Sequence, residues 1–159
     1  MPVSVNLTAY SPFIPTDADN SGLPLIVLEY TVQNQSEQSL KVSVNGWMQN
    51  MSCFQTCGNA VGSHQNLVSK ESQYTRVTFS SDQELATTHA DWGTMTLAVL
   101  DKEAEASANC REQLGTGYYP VRKELLQATA PLGQSLIGGV QSMYKLQKGE
   151  SHTFTFVLA

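Results

Sequence analysis

Prolines at positions 12, 15 and 24 rule out a helix through the segment Ser11 to Pro24. Proline fixes φ and has no amide hydrogen to donate, so the chain there must turn or extend. Between the prolines lie Thr16, Asp17, Asp19, Asn20, Ser21 and Gly22, residues whose short polar side chains, or lack of one, favour turns. The segment therefore reads as a stiff connector. A run rich in β-branched and aromatic residues follows at once, Leu25 to Asn34. Ile26, Leu28, Tyr30 and Val32 share one face of it, while Leu25 and Val27 give way to Glu29 and Thr31 on the other. A rigid turn feeding a strand commits the chain to β structure from its start.

The same period of two recurs. Val3, Val5 and Leu7 alternate with Ser4, Asn6 and Thr8 in a strand reaching Tyr10. Leu40, Val42 and Val44 alternate with Lys41, Ser43 and Asn45. Residues 34–39 are a short polar connector between that run and the preceding one, which predicts a hairpin. Thr75 to Phe79 and Thr94 to Leu100 repeat the pattern more briefly. Val140 to Leu146 and His152 to Leu158 flank Gln147-Lys148-Gly149-Glu150 and predict a second hairpin, with His152, Phe154, Phe156 and Leu158 on one face. The one helical candidate is Val121 to Gln127, after Pro120 and before Pro131. Residues 1–159 thus predict one domain, an all-β antiparallel sandwich with at most one short helix.

Charge narrows the function. Charged residues are 14% of the chain, against about 25% in ordinary soluble domains. Nine cations form no stripe, and the net charge is −5, which argues against nucleic acid. No apolar run approaches the ~20 residues of a membrane-spanning helix. Met1 to Val5 carries neither a basic region nor a long apolar core, so no signal peptide is expected and a cytoplasmic setting is favoured.

The pattern Ser-Pro-Phe-Ile-Pro at 11–15, with Asp17, Asp19, Ser21, Leu23 and Pro24, then a strand ending Val32-Gln33-Asn34, resembles the N-terminal domain of glycoside hydrolase family 116. That family includes the non-lysosomal glucosylceramidase, or bile-acid β-glucosidase. Leu40 to Asn50, with its Trp47, is similar to the family's next strand, Asp91 to Val99 to a strand of bacterial members, and Gly138 to Ala159 to the closing strand pair. The resemblance implies a non-catalytic β-sandwich, part of a longer N-terminal domain that precedes an (α/α)6 catalytic domain. That barrel would hold the nucleophilic Glu and acid/base Asp of a retaining β-glucosidase acting on a glycolipid or oligosaccharide. No segment here resembles it, so no catalytic residue is assigned. The expected task is to pack on the catalytic domain and support it. Large apolar side chains in turn-rich segments would serve as contacts, namely Phe13 and Ile14 in the connector and Tyr118 and Tyr119 before Pro120.

The other candidate chemistries are incomplete. Asp17 to Gly22 fits the start of a calcium loop, but the twelfth position is Leu28 where an EF-hand needs a bidentate Glu. Cys53, Cys57, His64 and Cys110 fall short of a paired C-x2-C zinc signature. A Cys53–Cys57 disulfide is sterically open, and free thiols suit a reducing compartment. No metal and no cofactor is therefore expected. His64 and His89 read as solvated loop residues, and His152 as a rim or core residue at a strand start. Trp47, Trp92, Tyr118 and Tyr119 offer rings on which a sugar face could stack, although tryptophans at strand ends more commonly pack. That keeps a free-standing carbohydrate-binding or adhesion module as the alternative. Asn6, Asn34 and Asn50 each begin an N-x-[ST] triplet.

Overall fold

The computed structural model describes residues 2–159, the side chains of Asn20 and Thr87 excepted. The described strands are β1 (Val3–Tyr10), β2 (Ile26–Asn34), β3 (Leu40–Gln49), β4 (Ser63–Lys70) and β5 (Thr75–Ser81). They continue with β6 (Met95–Val99), β7 (Glu105–Ser107), β8 (Gln127–Pro131), β9 (Ile137–Leu146) and β10 (Ser151–Leu158). Contrary to the helix-free connector expected, one helical turn, α1 (Ala18–Ser21), fits in the proline-free stretch between Pro15 and Pro24, and a 3-10 turn spans Gln83–Thr87. Seven strands form one sheet in the order β1-β2-β10-β6-β5-β4-β8, and three form the other in the order β3-β9-β7. The strand pairs are antiparallel, and the predicted all-β sandwich is the observed class.

Neither predicted hairpin forms. β2 belongs to the large sheet and β3 to the small one, and the same holds for β10 and β9. Both connectors are arches that cross between sheets. Alternation reveals which face of a strand is apolar, but an arch and a hairpin need the same alternation. Because β2 pairs with β10 and β3 with β9, the two arches stand side by side. Asn34 joins them while almost wholly buried. Its amide donates to Glu150 O at 2.9 Å, and its Nδ2 to Gln38 O at 2.7 Å and Gln147 O at 3.0 Å. Its Oδ1 accepts from Ser36 N at 2.9 Å. Lys148 and Glu37 pair across the arches at the surface.

The predicted helix over 121–127 is also absent: the segment is irregular, bends at Lys123 and Leu126, and enters β8 only at Gln127. Tertiary partners take their carbonyls: Leu125 O accepts from Ala108 N and Leu126 O from Val68 N, each at 2.7 Å. Helix propensity is a weak prior that such contacts override.

Between the sheets lies a core of Val77 and Phe79 from β5, Leu97 and Val99 from β6, Phe154 and Phe156 from β10, and Val140 from β9. Alanines 104, 106 and 108 fill the β7 margin. The sheets approach so closely at Gly138 that a Cβ there would stand 2.8 Å from Val77 Cγ1 and 3.0 Å from Phe79 Cε1. Burying side chains of this kind stabilises by roughly 1.5–3 kcal/mol each.

Candidate interdomain surface

The unequal sheets leave apolar surface uncovered. Val5 lies opposite Val32 and Leu7 opposite Tyr30 in the β1–β2 register. Directly opposed residues share a face of the sheet. That face is the inner one, because Val32 is buried and the Tyr30 ring meets Phe156 edge-on at 6.0 Å. Yet Val5 is 58% and Leu7 50% exposed. The small sheet ends at β3, which pairs with β9 alone among the described strands.

A furrow results between the overhanging strands and the free edge of β3. One part encloses about 470 Å³ against Val3, Val5, Tyr30, Val42, Val44 and Tyr118. Beyond Tyr30 and Asn45 it passes into a second part of about 220 Å³, lined by Leu28, Trp47, Phe156 and Leu158. No charged side chain among the described residues lines either part.

Aromatic residues gather at one lip. The Tyr118 ring stands edge-on to Trp47 at 5.4 Å, and the Tyr119 ring lies tilted to it at 6.2 Å. Such pairs hold about 0.5–1.5 kcal/mol beyond their buried area. The loop that presents them closes on itself through Gln113 N to Tyr118 O at 2.8 Å and Gly117 N to Glu112 Oε1 at 2.7 Å. Gly115 and Gly117 take positive φ (70° and 68°) to allow it, a conformation that costs glycine nothing.

Phe13 and Ile14 line neither part of the furrow. Phe13 is 76% and Ile14 49% exposed, on a connector that is ordered from within. Ile14 N donates to Ser21 Oγ at 2.9 Å, and Ser21 Oγ donates back to Ile14 O at 2.8 Å. Ser11 Oγ ties the start of the connector to Leu25 O at 2.8 Å. The structure thus brings Tyr118 to the furrow and Tyr119 beside it, and sets Phe13 and Ile14 on the surface beyond β1. Val5, Leu7 and Tyr30 are contact candidates that the sequence did not single out. Their alternation was visible, but whether a second layer covers them is a property of the whole fold.

The remaining candidates take structural places. The calcium-like hexapeptide contains α1, whose turn is closed by Gly22 N to Ala18 O at 2.9 Å. Cys53, Cys57 and Cys110 are free thiols. His64 is not a solvated loop residue: it points inward from β4, fully buried, with Nδ1 3.2 Å from Gln134 O and its ring stacked on Phe54. His152 stacks flat on Tyr144 at 3.9 Å and stands edge-on to Phe154. Trp92 packs, its Nε1 donating to Asp82 O at 3.1 Å. Asn34 and Asn50 have buried, hydrogen-bonded carboxamides, so only Asn6 of the three triplets is exposed in the fold.

A family model described as beta-glucosidase 2, glycosyl-hydrolase family 116 N-term, matches residues 1–159. The chain belongs to the family 116 N-terminal domain. A search of curated proteins gives no match.

Carboxylates of this family 116 N-terminal domain serve its loops. Asp82 accepts from Ser63 N at 2.7 Å, Gln65 Nε2 at 2.8 Å and Ser63 Oγ at 3.0 Å. Desolvation pushes its carboxyl up, but these hydrogen bonds together outweigh it and hold the group below its ordinary 3.8. Asp91 is held low in the same way, against desolvation, by Thr56 and by the amides of Gln55 and Thr56.

Proposed function

We propose that this chain is the non-catalytic part of a family 116 β-glucosidase and supports hydrolysis of a β-glucoside, glycolipid or oligosaccharide, by packing on the (α/α)6 catalytic domain of the same polypeptide. The observation that carries the reading is the uncharged furrow at the open edge of the sandwich, where the inner-face side chain of Val5 stays 58% exposed. A neighbouring domain is one means of covering apolar side chains left open at a sheet edge. Tyr118 at the lip, Tyr119 beside it, and Phe13 and Ile14 on the connector extend the contact. The catalytic pair of a retaining glycosidase would then belong to the partner domain, with this chain holding loops rather than protons.

The test compares the chain alone with the protein that carries it together with the catalytic domain. Val5→Lys should leave the isolated chain folded, because more than half of that furrow side chain is already in water. In the longer protein it should lower thermal stability and speed loss of aryl β-glucoside hydrolysis on warming. An unchanged melting point in the longer protein would refute packing through the furrow.

The alternative, a carbohydrate-binding module, is favoured by one observation, the cluster of exposed Trp47 with half-buried Tyr118 and Tyr119. Quenching of Trp47 fluorescence by β-glucosides, saturable and lost in Tyr118→Ala, would support it over the packing role.

A further inference from the structure

A second cavity lies away from the furrow, on the flank of the small sheet. It encloses about 260 Å³, with Ser107, Cys110, Arg111, Arg122, Lys123 and Leu125 in its wall. Three of the chain's nine cations, all solvent-exposed, thus contribute to the wall of one pocket in a protein whose net charge is −5. None of the three forms an ion pair among the described residues, whereas Lys70, Lys102 and Lys148 do. Acidic neighbours in sequence are engaged elsewhere. Glu112, next to Arg111, accepts from Gly117 N at 2.7 Å, and Glu124, next to Lys123, pairs with Lys70 at 2.6 Å.

The two segments that carry the cations are fixed side by side. Ala108 N donates to Leu125 O at 2.7 Å and Cys110 N to Ile137 O at 2.6 Å, and a parallel bridge joins Ser107 to Leu125. Val121, just before Arg122, is anchored in the interior. The pocket wall also supplies no counter-charge of its own. Burial pushes the Cys110 thiol up to about 11, so it is neutral at physiological pH.

We propose that this pocket is an oxyanion-binding site, built to take a carboxylate or phosphate group between Arg111, Arg122 and Lys123. Guanidinium groups present paired donors that match both oxyanions, and Lys adds a point charge. Apolar wall from Leu125 and Pro120 would face the body of a small organic anion.

The test is an NMR titration of the 159-residue chain with inorganic phosphate and, separately, with acetate, at constant ionic strength made up with chloride. Saturable shifts confined to amides of residues 107–111 and 121–125 are expected with at least one of the two. Saturation by acetate alone identifies a carboxylate ligand, and saturation by phosphate alone a phosphate one. The double variant Arg111→Gln/Arg122→Gln should weaken binding at least tenfold while its spectrum elsewhere stays native. Arg76→Gln, which removes a cation outside the pocket, should leave the affinity unchanged and so exclude a general charge effect. Linear shifts that chloride reproduces, or equal affinity in the double variant, would overturn the proposal.

Discussion

The carboxamides of Asn50 and Asn66 meet in the interior, Nδ2 to Oδ1 at 2.9 Å, with neither residue exposed to solvent. Asn50 Nδ2 also reaches Ser80 O at 2.8 Å, and Asn66 Nδ2 donates to Ala108 O at 2.9 Å. Two side chains thereby tie the end of β3 to β4, β5 and the β7 margin. Removing one partner strands buried polar groups at about 1–3 kcal/mol each. Asn66→Ala should lower the urea midpoint accordingly, while Asn59→Ala, on an exposed turn, should stay within about 0.5 kcal/mol of the parent. Equal effects from the two would show that the buried pair is dispensable.

Gly138→Ala adds a methyl where the sheets already touch. Overpacking of this kind costs about 1–3 kcal/mol. Gly93→Ala meets no atom within 4 Å and serves as the control. Chemical denaturation of both variants should separate them clearly, with Gly138→Ala the less stable.

Strand identity was largely legible because β1, β2, β3, β9 and β10 alternate apolar and polar residues. β4 was not, and its chemistry explains why. Its inward residues are His64, Asn66 and Val68, so two of three core positions are polar and the alternation vanishes into a polar run. β7 holds three residues, and β8 places small alanines inward, leaving little periodicity to detect. Strand partnership was illegible for another reason: arches and hairpins share one sequence pattern, and only the packed sheets distinguish them. Of the proposed contacts, Tyr118 could be nominated from its loop setting, whereas Val5 and Leu7 could be nominated only once it was known which strands go uncovered.

Phe13→Ala should change the stability of this chain by no more than about 0.5 kcal/mol, since the ring is mostly in water. In the protein that includes the catalytic domain, the same change should be clearly destabilising if the connector is a contact. Calorimetry on the two proteins makes the comparison. A large loss in the chain alone would mean that the ring packs inward.

Acid should weaken the fold partly through Asp82 and Asp91. Their folded carboxyls sit below 3.8, so the unfolded chain binds protons first as pH falls. Their contribution is therefore complete above the unfolded value and is lost as pH drops below 3.8 through the folded ones. Asp82→Asn should be less stable at neutral pH and lose less between about pH 5 and pH 2. Urea midpoints across that range test it, and a variant with the parent's pH slope would exclude Asp82 as a contributor.

Cys110 works in the opposite direction. Its thiol ionises near 11 when folded against an ordinary 9.0, so the folded state holds the proton that the unfolded chain releases. Stability it contributes below 9.0 should fade as pH rises toward 11. Iodoacetamide at pH 8 should accordingly spare Cys110 and reach half-exposed Cys57 first, as peptide mass spectrometry would report. Prompt alkylation of Cys110 in the native protein would contradict this.

The side-by-side arches have a kinetic consequence. Asn34 and Gln147, joined by one hydrogen bond, are separated by 113 residues, and Thr31 and Thr153 by 122. Contacts that distant in the chain impose a loop-closure cost before they return any stability, and folding slows as contact order rises. On a ribosome, β2 and β3 would emerge long before β9 and β10, and wait with unsatisfied edges until those strands arrive. Chaperone demand in this domain should accordingly fall on its earliest strands, and it should end once β9 and β10 have cleared the exit tunnel.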